Sequence, residues 1–297
     1  LCCGGHRADT VRMALRTSRH GSATDAGASE TRRRRRRWPW ILAAVGVVMV
    51  GAMTVTLLRH SSARPVDLND ARGRYHGPGL AGPNDPRPTP GVYSYTGAGT
   101  DRLSLPPMSQ AEGPSMPVTV TLDGSQCWTM RVDYSTHHWQ TWAYCRDGGA
   151  LEQTGGGVWQ LWPVGPINFT NRTTLTCSPP LTVVPATLTV GQSWPISCTG
   201  TSTAVKGQMT SSGTIRFLGD TTLRVAGHDV SVRHFLQTQT DSGSQRGTER
   251  YENWLDPVSG LPLKMQQDIE VRTATPFGDS TYTQTGSMTI ESLQPTS

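Results

Sequence analysis

From Gly91 to the C-terminal end, apolar and polar residues alternate with a period of two in short runs. The longest run is Leu261 to Arg272. Leu261, Leu263, Met265, Gln267, Ile269 and Val271 take one parity, and Pro262, Lys264, Gln266, Asp268, Glu270 and Arg272 take the other. Successive strand side chains point to opposite faces, so this run predicts a long strand with one face in a core and one in water. Gln267 is the single polar residue on the apolar side. Val118, Val120 and Leu122 alternate with Thr119, Thr121 and Asp123 in the same way. Leu223 and Val225 lead into Ala226-Gly227-His228-Asp229, and Val230 and Val232 lead out, which predicts a hairpin. Tyr282, Met288 and Ile290 share a face of the last strand. No amphipathic helix of three turns is predicted after residue 60. The expected fold is mainly β: one large antiparallel, strongly curved sheet (an open half-barrel or a β-sandwich) over residues 91–297.

One segment breaks this pattern. Trp38 to Leu58 is an uncharged run of 21 residues, WPWILAAVGVVMVGAMTVTLL. At about 1.5 Å rise per residue it spans a hydrocarbon core of roughly 30 Å, with Trp38 and Trp40 at the interface. Arg32 to Arg37 precede it directly, which puts residues 1–37 in the cytoplasm as an Arg-rich disordered tail and the later chain outside. Ser61-Ser62-Ala63 offers a small-residue cleavage site. The apolar run exceeds the 7–15 residues of a signal peptide, however, so an uncleaved single-pass anchor at 38–58 is expected.

Charge sharpens this topology. The net +5 is distributed unevenly. Ten Arg against three acids give residues 1–37 a charge of +7, residues 38–64 add two Arg, and 15 cations against 19 anions leave the remainder at −4. The outer domain therefore offers no polyanion surface, and no nucleic-acid partner is expected. Arg outnumbers Lys 25 to 2, the coding bias of a high-GC, actinobacterial type of genome.

Residues 59–90 are dense in Pro and Gly, lack an apolar period and read as a semi-extended linker. Beyond them lie four Cys: Cys127, Cys145, Cys177 and Cys198. An even number outside the membrane predicts two disulfides. QCWTMRVDYS and HHWQTWAYCR read as two strands turning near Thr136, and that centre sets Cys127 opposite Cys145. It also pairs Trp128 with Tyr144, Met130 with Trp142 and Tyr134 with His138. Directly opposed residues lie within disulfide range. Cys177–Cys198 follows by elimination. The spacings contain no Cys-x-x-Cys pair, so a zinc site is not expected from them.

Gly91-Val-Tyr-Ser-Tyr-Thr-Gly97 opens the domain as a strand, and Phe217-Leu-Gly and Val225-Ala-Gly227 precede a long strand. Near the end stands Trp254-Leu-Asp-Pro-Val-Ser-Gly-Leu-Pro-Leu-Lys264. With these features, residues 91–297 resemble the cell-envelope half-barrel carriers, the superfamily of the outer-membrane lipoprotein carrier and the mycobacterial lipid-binding lipoproteins. The resemblance implies an open curved sheet whose concave face holds acyl chains or another apolar ligand. Here a membrane anchor and linker stand in place of the lipidated Cys.

Candidate binding residues are aromatic. Trp139, Trp142, Trp159, Trp162 and Trp254 form the candidate ligand or partner surface, with Trp139 the one most expected to be exposed beside a cation, Arg131. His137-His138 reads as an exposed pair at a hairpin tip near Asp133, and Glu249, Glu252 and Asp256 read as acids on a wet strand face. Gly155-Gly156-Gly157 and Thr240-Asp241-Ser242-Gly243 read as hairpin loops. Asn168 and Asn171 match the glycosylation sequon. No catalytic constellation, cofactor or metal site is expected. Two functions follow as expectations. One is a membrane-anchored extracytoplasmic domain that binds an apolar or lipid-like ligand. The other is a structural ectodomain that contacts cell wall or an envelope protein.

Overall fold

In a computed structural model of the chain, the structure describes residues 63–77, 82, 85–164, 167–275 and 278–296. The apolar segment 38–58, the tail 1–37 and most of residues 78–84 lie outside them. No helix among the described residues is long and apolar enough to cross a membrane.

The period-two runs form fourteen strands. They are β1 (Gly91–Tyr93), β2 (Tyr95–Leu103), β3 (Met108–Glu112), β4 (Val118–Asp123), β5 (Cys127–Ser135), β6 (His138–Asp147) and β7 (Ala150–Val164). Then follow β8 (Ile167–Val184), β9 (Ser193–Ser202), β10 (Gln208–Val225), β11 (His228–Gly243), β12 (Gln245–Leu255), β13 (Pro262–Thr275) and β14 (Gly278–Ile290). All pair antiparallel in one sheet, ordered β1-β4-β5-β6-β7-β8-β9-β10-β11-β12-β13-β14-β2-β3. The ladder does not close, and there is no second sheet among the described residues, so the sandwich alternative falls away.

The sheet curls because one of its faces is shared. Side chains from both flanks, Val118 and Trp128 on one and Met288 and Ile290 on the other, belong to one buried cluster with Phe217, Phe235 and Leu263. Near the free edges, residues 113–117 bind both sides. Gly97 N–H donates to Pro114 O and Met116 N–H to Tyr95 O, while Gly113 N–H donates to Tyr134 O and Asp133 N–H to Pro117 O.

The predicted core parity of this run holds, since Leu261, just before β13, and Leu263, Met265, Gln267, Ile269 and Val271 within it are all buried. On the other parity Pro262 is buried as well, and Asp268, Glu270 and Arg272 are exposed. The Trp254–Lys264 motif forms the β12–β13 hairpin, with Trp254 opposite Lys264. Asp256 Oδ1 accepts from the N–H groups of Val258 and Ser259, which fixes the turn. The β10–β11 hairpin turns on Ala226-Gly227 between the paired Val225 and His228. Both turn residues have positive φ, 49° and 83°.

Three expectations need correction. The β5–β6 register matches from Cys127–Cys145 to Asp133–Trp139, then slips by one so that Ser135, not Tyr134, opposes His138. Gly155, Gly156 and Gly157 are not a loop; they lie inside β7, where a Cβ at Gly155 would sit 2.5 Å from the Leu175 carbonyl oxygen of β8. Thr240, Asp241, Ser242 and Gly243 all belong to β11, and Ser244 alone links it to β12.

Within the stretch read as linker, the described residues lie against the β domain. Leu68–Arg74 forms a seven-residue helix, α1, capped by Asp67, whose side chain accepts from Asn69 N–H. Its Ala71 is buried, with Val66 just before it. Arg74 pairs with Asp133 at 3.0 Å, and Ser115 Oγ donates to Val66 O. Farther along, Arg87 donates to the carbonyls of Gly124 and Cys127.

Candidate functional site

A polar layer crosses the inside of the curl. Asp101 of β2, Glu112 of β3, His138 of β6 and Gln284 of β14 have their side chains in it, and all four are buried. Glycines make room for it. Gly99 pairs with both Glu112 and Gly286, so the Glu112 side chain lies over two residues that carry none. A Cβ at Gly99 would collide with Glu112 Oε2, and one at Gly286 would come within 3.1 Å of the same oxygen.

His138 is the centre of this layer. Its Nδ1 lies 2.9 Å from Asp101 Oδ2 and 2.9 Å from Glu112 Oε1. Each carboxylate is held from behind: Tyr282 Oη donates to Asp101 Oδ1 at 2.8 Å, and Gln284 Nε2 donates to Glu112 Oε1 at 2.8 Å. The Tyr134 ring stands 4.9 Å from the imidazole. Burial and then the Asp101 charge push the Glu112 carboxyl up to about 7. Burial opposes a charge on His138. Asp101, by its charge and its hydrogen bond, outweighs that cost with help from Glu112, and lifts the imidazole to about 10. Burial keeps Tyr282 a donor by raising its hydroxyl well above the usual range.

Two atoms of this group have no hydrogen-bond partner, Glu112 Oε2 and His138 Nε2. A void of about 10 Å³ lies beside Glu112, Tyr134, Gln267 and Gly286. That is room for one water-sized group. Among the described residues, Asp101, Glu112 and His138 form the one group of three or more metal-ligating side chains whose donor atoms all lie within 4.8 Å of one another.

A second acid pair sits deeper along the curl. Glu249 of β12 opposes Gln239 of β11, and Asp241 is the next inward residue on β11. Gln239 Nε2 and Tyr251 Oη both donate to Glu249 Oε2, at 3.0 and 2.8 Å. Asp241 is 2% exposed, and its oxygens accept no N–H or O–H from the described residues. Burial first, and the Asp241 charge second, push Glu249 up to about 8; burial also raises Asp241. Glu249 is enclosed by protein yet keeps part of its surface on a cavity of about 60 Å³. That cavity has two characters. Trp142, Leu181, Ile215 and Phe235 line it on the apolar side, and Gln237, Gln239 and Glu249 on the polar side.

The five candidate tryptophans do not form one surface. Trp142 lines the cavity, and Trp162 is buried edge-on to Tyr282 at 6.4 Å. Trp139 and Trp159 are half-buried on the opposite face, stacked at 6.2 Å, with Arg131 and Arg172 at 4.4 and 5.4 Å from the Trp139 ring. Trp254 is stacked on His234 at 4.2 Å and covered by Lys264 at 4.4 Å. The four cysteines do come together as expected: Cys127–Cys145 and Cys177–Cys198 are bonded, with Cα–Cα separations of 4.0 and 4.2 Å.

The residues of the polar layer were not expected. His138 is not an exposed turn residue: it opens β6 on the same inward parity as Gln140, Trp142 and Tyr144, and it is 1% exposed. Glu249 faces inward while Glu252 faces outward to His234 and Arg250. One signal was available: the strand parity that sets Cys127 opposite Cys145 also puts His138 on the face of Met130 and Trp142.

No protein-family model and no curated protein matches the chain. Among solved structures it is similar to the hypothetical lipoprotein YmcC from Escherichia coli, at 15% identity and a TM-score of 0.34, over 69% of this chain and 86% of that one.

Proposed function

We propose that residues 91–297 are a ligand-binding β domain of the cell envelope, held at the membrane by residues 38–58. Its ligand is a small amphipathic molecule, with an apolar part against Trp142, Ile215 and Phe235 and a hydrogen-bonding head toward Gln239 and Glu249. The observation that carries this is the two-sided lining of the interior cavity. Ligand sites are concave and mostly apolar, with a few convergent polar groups of perturbed pKa. Size narrows the class. About 60 Å³ accommodates roughly five water-sized groups. A full acyl chain enters only if the curl opens, so a short apolar moiety fits better than the long lipid that the family resemblance implies. What supports an envelope location is the arginine run before the apolar segment and the two disulfides of the β domain.

The test uses the full chain purified in mild detergent, extracted with solvent and examined by mass spectrometry. A co-purifying small amphiphile, depleted in Glu249→Gln and Trp142→Ala, is the expected result. A clean extract, with no fluorescence change on adding short-chain amphiphilic probes, sinks the reading. A second reading, an interaction ectodomain, is favoured by the stacked Trp139 and Trp159 with their two arginines on the outer face. Aromatic and Arg side chains are the usual anchors of protein interfaces. Crosslinking that captures an envelope partner through Trp139 and not through the Trp139→Ala variant would favour it.

A further inference from the structure

We propose that Asp101, Glu112 and His138 bind one divalent first-row transition ion, with zinc as the reference case. The donor set is the first argument. One imidazole and two carboxylates suit zinc, manganese or ferrous iron, whereas calcium and magnesium take oxygen ligands. The second is charge. Asp101 and Glu112 are both 1% exposed in their side chains, and His138 is their one ion-pair partner among the described residues. Two carboxylates and one neutral imidazole carry a charge of −2, which a divalent ion balances.

The third argument is geometry. The three ligands come from β2, β3 and β6, so the frame of the sheet fixes them. Both Nδ1–oxygen separations are 2.9 Å, the spacing of a proton shared between nitrogen and oxygen. Metal bonds of about 2.1 Å in a tetrahedral set need donor separations of about 3.4 Å. The ion therefore replaces the Nδ1 proton when the two carboxylates withdraw by about half an ångström. The supporting shell is already in place. Tyr282 and Gln284 donate to the carboxylates from outside, as the second layer of a metal centre does. Glu112 Oε2 is buried without a partner and is a further oxygen donor, and a void of about 10 Å³ beside Glu112 has room for one water near that carboxylate.

The experiment uses the full chain with Cys2→Ser and Cys3→Ser, because the adjacent thiols at the N-terminus would bind zinc by themselves. The protein is stripped with chelator, dialysed and titrated with zinc chloride by calorimetry, and its metal content is measured after a second dialysis. One zinc per chain is expected, with a rise in Tm. Cobalt should give visible bands of a four-coordinate nitrogen–oxygen site without a thiolate charge-transfer band. Tyr282→Phe, which removes one supporting donor and leaves all three ligands, should weaken zinc about 10- to 100-fold. Asp101→Asn should abolish retention, and Glu249→Gln should leave it unchanged. No retained zinc and no heat of binding, with the β circular dichroism intact, overturns the assignment. So does retention that Asp101→Asn and Tyr282→Phe leave undiminished. If Asp101→Asn does not fold, the titration and the cobalt spectrum of the chain with all three ligands decide. The ligand reading above stands or falls separately, on Glu249 and Trp142.

Discussion

Gly99 of β2 and Glu112 of β3 oppose each other in the ladder, and the Glu112 carboxylate lies over the bare Cα of Gly99. A Cβ there would meet Glu112 Oε2 at once and come within 2.8 Å of the Thr285 carbonyl oxygen. The oxygen of Thr285 belongs to a paired strand and cannot retreat. Glu112 can retreat only by leaving His138 and Gln284.

Gly99→Ala is therefore expected to destabilise the domain. Alanine in a strand recovers roughly 0.5–1 kcal/mol of backbone entropy relative to glycine. Overpacking a filled interior costs about 1–3 kcal/mol, and here it also strips hydrogen bonds from a buried carboxylate. The net loss should be about 1–3 kcal/mol in urea titrations followed by tryptophan fluorescence. An unchanged midpoint would mean that Glu112 is not packed against Gly99.

Glu249 gives the domain a pH dependence of definite sign. Its pKa is near 4.5 in an unfolded chain and is raised to about 8 here, by burial and then by Asp241. The folded state thus holds a proton that the unfolded state has released. The stability that goes with that proton is fully present below pH 4.5 and is lost as pH rises through about 8. Glu249→Gln keeps the hydrogen-bonding shape and does not titrate. The stability difference between the unsubstituted chain and the variant should shift against the former by up to a few kcal/mol across that window, because the part of Glu249 on the cavity is screened. Chemical denaturation at pH 5 and pH 8 checks it. A difference independent of pH would show that Glu249 ionises freely.

The two disulfides should open in order. Cys177 and Cys198 are buried in the main core, 4% and 7% exposed, whereas Cys127 and Cys145 are half-buried at the end of the β5–β6 ladder. Thiol exchange needs access to a sulfur, so mild reductant should open Cys127–Cys145 first. Differential alkylation and peptide mapping would show this. Either bridge constrains a loop of roughly 20 residues, worth about 3 kcal/mol on the chain-entropy account. Removing Cys177–Cys198 should cost more than that figure, because two core positions lose their packing as well.

Strand parity made much of this architecture legible. It gave the buried face of β13 residue by residue, and the register that brings Cys127 to Cys145. The polar layer was obscured by the same rule, since a polar residue inside a curled sheet has the same period as one in water. Gln267 looked like an intruder on an apolar face and is one of several glutamines, with Gln140 and Gln284, that turn inward. Asp101 and Glu112 meet His138 only when the far end of the strand order curls back, with residues 113–117 bridging β2 and β5, and no local pattern records that contact. The one-residue slip at Ser135 was invisible for a related reason: a bulge changes register without changing composition.

The β10–β11 turn carries a removable strain. Ala226 is the single non-glycine residue with positive φ among the described residues, at 49°, and Gly227 follows at 83°. Two central residues with positive φ make the turn that matches the twist of paired strands, and asparagine followed by glycine suits it best. Alanine in the left-handed region costs roughly 1–2 kcal/mol, because its Cβ crowds the following carbonyl. Asparagine tolerates this region and can hydrogen-bond locally, and the open space around the neighbouring Gly227 leaves room at the tip. Ala226→Asn should therefore stabilise the domain by about 0.5–1 kcal/mol and raise the thermal midpoint by a few degrees. It should leave zinc retention and the Glu249 pH profile unchanged, since the turn touches neither. A fall in stability would show that the turn does not hold Ala226 at positive φ.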